Sequence, residues 1–126
     1  IPRLCETCRQ AVQPSPELLQ KLGIPAGRVQ VLYQEKQPLA PGEQKKRGQP
    51  EICPACKGLG YKGRIAIYEF LIMDDKLKQV LLKAPNLETI KKFSRAAGNR
   101  TLQEEGILLV ALGTTSIAEL QRVLKQ

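Results

Sequence analysis

The sequence predicts a mainly helical α+β chain, in which a small metal-held lobe with a short β-sheet precedes about four helices. Three observations carry this. Two Cys-x-x-Cys knuckles, Cys5/Cys8 and Cys53/Cys56, hold all four cysteines of a 126-residue chain that has no histidine. A β-branched and aromatic run follows the second knuckle at Arg64–Ile72. The remaining residues fall into helical periods punctuated by Pro85, Gly98 and Gly113, each period opened by a capping residue. The expected division is a tetracysteine lobe over residues 1–63, with an inserted loop at 34–52, and a strand with a helical subdomain over residues 64–126.

At this length the chain forms one core or a core with a small lobe. The apolar fraction of 42%, with three Tyr, two Phe and no Trp, leaves Leu, Ile, Val and Ala to build it. No run approaches the roughly 18 apolar residues of a membrane span. The chain opens Ile1-Pro2-Arg3-Leu4-Cys5 and its single methionine is Met73, which reads as a piece of a longer protein. The net charge is +8, but residues 1–64 hold eleven Lys or Arg against five acids and residues 65–126 nine against seven. Four thiolates on one divalent cation carry about −2, so part of the basic excess balances the metal site and the rest is solvated surface.

In chain order, Ser15-Pro16-Glu17 is a helix start: a capping hydroxyl, a proline suited to the first helical position and an acid at the positive helix end. Leu18, Leu19 and Leu22 give that helix an apolar face, and Gly23 and Pro25 end it. Val29, Val31 and Tyr33 alternate with Gln30 and Leu32 as in a strand. Residues 34–52, with three prolines and Lys45-Lys46-Arg47, have no period and read as an exposed loop. The strand at Arg64–Ile72 is apolar on both faces, which predicts cover on both sides. Glu69 then needs a basic partner, for which Arg64 is nearest in sequence. Downstream, Asp74 or Asp75 opens a helix with Leu77, Val80 and Leu81 inward. Asn86 caps one with Leu87, Ile90 and Phe93 inward. Thr101-x-x-Glu104 and Ser116-x-x-Glu119 are two capping boxes, the second opening a helix with Ile117, Leu120 and Leu124 inward.

Two knuckles without histidine point to a tetrahedral, closed four-thiolate zinc site of Cys5, Cys8, Cys53 and Cys56, structural rather than catalytic. The 44 intervening residues add little closure entropy. Gly58 and Gly60 let the chain fold back past the second knuckle, and Arg9, Lys57 and Lys62 supply cations that favour thiolates. Disulfides, an iron–sulfur cluster and a redox dithiol are the alternatives. Long unstapled helices weigh against a secreted disulfide scaffold and for a reducing cytoplasm, and the knuckle leads into Gly-x-Gly and a strand rather than into a redox helix. Among motifs for chemistry, a phosphate loop and any histidine-dependent dyad are absent. Gly58-x-Gly60-x-x-Gly63 matches the bare dinucleotide pattern in the wrong context. A zinc-ribbon nucleic-acid module is the alternative function, but aromatic and basic residues do not interleave, so no nucleic acid is expected as partner. A chaperone-type cysteine-rich module fails because the first knuckle lacks the glycines.

The order Cys-x-x-Cys-x-Gly-x-Gly-Tyr-x-Gly-Arg-x-x-Ile-x-Glu at Cys53–Glu69 resembles the C-terminal region of the type II secretion and type IV pilus assembly ATPases. So do Pro2-Arg3-Leu4-Cys5, Asp74-Asp75-Lys76-Leu77, Thr101–Gly106 and Gly113–Leu120. The inserted loop at 34–52 is longer than the family's usual one. The resemblance implies a larger, hexameric P-loop ATPase in the cytoplasm, peripheral to the inner membrane. It also implies that ATP and Mg²⁺ are bound upstream of Ile1, and that neighbouring protomers and inner-membrane platform proteins are the partners. On that reading Cys5, Cys8, Cys53 and Cys56 are the metal ligands. Arg64 and Glu69 match motif positions without an assigned role in hydrolysis, and no residue here is catalytic.

Overall fold

A computed structural model describes residues 1–25, 27–37 and 52–125. It shows a mainly helical α+β chain of two compact units, Ile1–Ala66 with Ile107–Gln126, and Ile67–Gly106. Among the described residues no helix is long and apolar enough to cross a membrane. Lys45-Lys46-Arg47 and most of the expected loop at 34–52 lie outside the described residues.

The first unit is built on two nested antiparallel pairs. Strands β1 (Pro2–Leu4) and β2 (Gln10–Val12) precede helix α1 (Pro16–Lys21), and strands β3 (Leu32–Gln34) and β4 (Tyr61–Arg64) follow it. The inner pair, β2 with β3, sets Ala11 opposite Tyr33; the outer pair, β1 with β4, sets Leu4 opposite Tyr61. Helix α1 starts as its sequence dictates: Ser15 accepts the Leu18 N–H and Pro16 stands in the first turn. Its end is a Schellman turn, with Gly23 N–H on Gln20 O and Ile24 N–H on Leu19 O. The register of β3 is shifted by one from the expected alternation. Leu32 is buried, whereas Val31 is exposed and Tyr33 lies beneath the Arg9 guanidinium. Leu32 joins Val110 and Leu120 in the apolar core, edged by Ile1, Leu18, Val29, Ile107, Ile117 and Leu124. The last of these lie on helix α5 (Ile117–Leu124), whose inward stripe is the expected one.

The second unit holds helices α2 (Asp75–Lys83) and α3 (Leu87–Ala96) and the start of α4 (Leu102–Ala111). Caps fall where the sequence puts them: Asp74 accepts the Leu77 N–H at 2.8 Å and Asn86 accepts the Thr89 N–H at 2.8 Å. The Thr101 box is reciprocal, with Thr101 N–H on Glu104 Oε2 and Glu104 N–H on Thr101 Oγ1. Those bonds, the backbone one foremost, hold the Glu104 carboxyl below its usual range. Leu77 is fully buried and Val80 and Leu81 are half-buried, but Leu87 of the α3 stripe is exposed.

The expected strand at Arg64–Ile72 is the main difference. Strand structure covers Tyr61–Arg64 and stops there. The reason is pairing. Ile65 exchanges bonds with Ile1, its N–H donating to Ile1 O at 2.9 Å and the Ile1 amine donating to Ile65 O at 2.7 Å. Among the described residues no strand pairs with the segment beyond that point. A β-prone run without a strand beside it has no ladder to join. Tyr68, Phe70, Leu71, Ile72 and Met73 are therefore exposed rather than covered on both faces, with the Tyr68 and Phe70 rings stacked at 5.6 Å. Glu69 does not lie among apolar neighbours either. It is exposed and accepts the Leu102 N–H at 3.2 Å, at the positive start of α4.

A four-thiol candidate metal centre

The strand pair β1–β4 decides the position of both knuckles. Cys5 follows the last residue of β1 and Gly60 precedes the first residue of β4, and Cys5 N–H donates to Gly60 O at 2.9 Å. Pairing two strands that are far apart in sequence thus sets the two knuckles face to face. The first knuckle is a tight turn in which Cys8 and Arg9 N–H both donate to Cys5 O. In the second, Leu59 N–H donates to Cys56 O and Gly60 N–H donates to Cys56 Sγ at 3.3 Å. Gly60 is required on two counts. Its φ is +75°, and a Cβ there would lie 2.7 Å from Glu35 Cβ.

The four sulfurs converge within 4.8 Å of one another, close enough to hold a metal ion. Cys5 and Cys53 Sγ are 3.9 Å apart, and Cys8 and Cys56 Sγ 3.6 Å. Thiolates at ~2.3 Å on the corners of a tetrahedron stand about 3.8 Å apart, so the donor set matches a tetrahedral cation. A disulfide needs ~2.05 Å between its sulfurs, and all four thiols are free. Cys5, Cys53 and Cys56 are buried, Cys8 is half-buried, and together with Ala55 they make a small core of their own.

Backbone dipoles prepare the site. Burial opposes ionisation of Cys5, but N–H groups of Thr7 and Cys8 together with the thiols of Cys8 and Cys56 more than offset it and bring its pKa down to about 7. N–H groups of Cys56 and Ala55 outweigh burial at Cys53 and lower it too. Cys8 moves the other way: burial and the three neighbouring sulfurs push it up. Four thiols this close cannot all ionise alone, and a divalent cation removes that conflict. The cations expected to favour thiolates do not act directly. Lys57 and Lys62 are exposed. Arg9 turns away, donating through Nη1 to Gly113 O at 2.7 Å and stacking 4.4 Å from the Tyr33 ring centroid.

The sequence reading missed the surroundings that fix the lobe. Tyr61 donates its phenol proton to Glu35 Oε2 at 2.7 Å and lies 2.7 Å from Ser116 Oγ. Burial pushes the Tyr61 pKa up to about 12. Capping marked Ser116, but no local sequence signal pairs it with Tyr61, 55 positions away. Arg64 ends β4 opposite Pro2, and neither it nor Glu69 lines the thiol cluster.

Comparison with known proteins gives the family. The profile of the family described as "Type II/IV secretion system protein" matches residues 1–122. The chain is 33% identical over 117 residues to a type IV pilus assembly ATPase, PilB, of Thermus thermophilus, covering 93% of this chain and 12% of that protein. It is 35% identical over 71 residues to the type II secretion system protein HxcR of Pseudomonas aeruginosa, covering 56% of this chain and 15% of that one. It is 39% identical over 74 residues to the type IV pilus assembly ATPase TfpB of Acinetobacter baylyi, covering 59% and 13%. The chain thus spans less than a quarter of the length of the relatives it matches. A profile match across nearly every residue, over a fold whose two knuckles meet in one four-thiol cluster, places the chain in the type II/IV secretion system protein family.

Proposed function

We propose that this chain is a structural and interaction region of an ATPase that powers type II protein secretion or type IV pilus assembly. Cys5, Cys8, Cys53 and Cys56 hold a structural zinc ion, a closed site that supplies no catalysis because all four positions are protein thiolates. The observation that carries the reading is the sulfur spacing of 3.6 and 3.9 Å across knuckles 48 positions apart, in a chain matched over residues 1–122 by the family profile. Zinc stands in for apolar core in a lobe too small to supply its own. The parent ATPase works as a cytoplasmic hexamer at the inner membrane and binds ATP and Mg²⁺ outside these residues. Its partners are neighbouring protomers and membrane platform proteins. The exposed run Tyr68–Met73 offers apolar surface for packing on the ATPase core or the next protomer.

Metal analysis of the reduced, purified protein tests this. One zinc per chain and loss of lobe structure on strong chelation are expected, with no ATP turnover by residues 1–126 alone. In the intact ATPase, Cys53→Ser with Cys56→Ser should abolish secretion or piliation. Metal-free protein that stays folded, or turnover by the isolated chain, would overturn the proposal.

A further inference from the structure

The turn between α4 and α5, Gly113-Thr114-Thr115-Ser116, is engaged at every residue by the thiol lobe. Gly113 O accepts Arg9 Nη1 at 2.7 Å, one residue past Cys8. Thr114 O accepts the Leu4 N–H at 2.8 Å, one residue before Cys5. Thr115 Oγ1 donates to Pro2 O at 2.8 Å. Ser116 Oγ lies 2.7 Å from the Tyr61 oxygen; since the single phenol proton goes to Glu35, the Ser116 hydroxyl is the donor to Tyr61. The same Ser116 Oγ accepts Glu119 N–H and so caps α5. Thr115 and Ser116 are buried, and each of these groups has its partner inside the protein.

The contacts come from both arms of the lobe: Pro2, Leu4 and Arg9 flank the first knuckle, and Tyr61 lies five residues past the second. Those arms carry the thiols: β1 leads into Cys5, and β4 follows the knuckle of Cys53 and Cys56. We propose that Gly113–Ser116 is a joint through which the two knuckles hold α5, so that binding of metal by the thiols and docking of α5 are thermodynamically coupled. The coupling is reciprocal: the factor by which bound metal favours docking of α5 is the factor by which docked α5 strengthens metal binding. The metal half of this rests on the zinc reading above; the joint itself rests on the bonds of the turn. A bundle of helices held only by its apolar faces would not show such dependence. Here α5 lacks one requirement of an independent helix, because its cap hydroxyl is oriented by a residue of the lobe.

Hydrogen exchange on the intact zinc-loaded protein, before and after chelation, tests the coupling. Amides of α5 should exchange faster once metal is removed, together with Leu4 and Arg9, while α2 and α3 keep their protection as an internal control. Thr115→Val keeps shape and removes one donor. It should retain one zinc per chain, weaken zinc binding by about three- to tenfold and speed exchange in α5. If α5 keeps full protection after chelation and in Thr115→Val, the joint does not exist. Faster exchange in Thr115→Val with unchanged zinc affinity overturns the coupling. If the protein carries no zinc, the metal reading fails, and α5 exchange in Thr115→Val still decides the joint.

Discussion

Gly113→Ala is the sharpest test of how the lobe and its helices are fitted together. Gly113 follows the last turn of α4, its N–H on Val110 O, with φ at +71°. A Cβ built there would lie 2.5 Å from Tyr33 Cδ2 and 3.0 Å from Cε2. Left-handed backbone costs an alanine about 1–2 kcal/mol. Forcing a packed ring aside adds about 1–3 kcal/mol, and losing the Arg9–Tyr33 stack about 0.5–1 kcal/mol more. The alanine's smaller unfolded-state entropy returns about 0.4–1 kcal/mol. The expected net loss is about 3 kcal/mol. Gly23→Ala is the matched control: the same helix-end role in the same unit, φ at +69°, and nothing within 4 Å of the added carbon. It should lose only about 1 kcal/mol. In urea, with a slope of about 2 kcal/mol/M, the two midpoints should differ by roughly 1 M. Equal midpoints would refute the argument that Tyr33 fills the space above Gly113.

Other outcomes follow from the same structure. The Tyr61 pKa is raised from 10 to about 12 by burial. Its protonated form is favoured by folding, so the contribution is intact below pH 10 and is lost as pH rises towards 12. Denaturation midpoints should therefore fall across that window, and Tyr61→Phe should flatten the fall. Thr101→Ala removes the cap of α4, and exchange of the Leu102–Glu105 amides should rise while zinc content stays constant. Glu104, whose folded pKa is depressed by the same cap, stabilises above the ordinary carboxylate range. That benefit should disappear as pH falls through its lowered value. Cys53→Ser should cost the protein its metal and its cooperative thermal transition in the first unit, because a buried hydroxyl cannot replace a thiolate at the site.

What was legible in the sequence was whatever is decided locally. Ser15, Asp74, Asn86, Thr101 and Ser116 all cap as read, since capping is a contact across three residues. The convergence of the four thiols was legible for a different reason: two knuckles in a chain without histidine call for each other. The strand at Arg64–Ile72 was misplaced because β structure is a property of pairs. The apolar pattern of Ile65–Met73 records a need for strand neighbours, and among the described residues only Ile1 bonds to its backbone as a neighbouring strand would.

The same distinction explains why the joint at Gly113–Ser116 escaped the reading although its residues are plain to see. A capping serine and a helix-ending glycine account for the local pattern completely, so nothing in the sequence calls for a second role. That role arises only when β1 and β4 pair and bring Pro2, Leu4, Arg9 and Tyr61 alongside. The Thr115 and Ser116 hydroxyls are then buried, and each finds a partner on the lobe where an unsatisfied group would cost ~1–3 kcal/mol. Two adjacent buried hydroxyls, with no buried side-chain polar atom unpaired among the described residues, are therefore a constraint on both sides of the joint. On the proposed coupling, a change that moves the knuckles strains those bonds, and a change that frees α5 is felt at the knuckles.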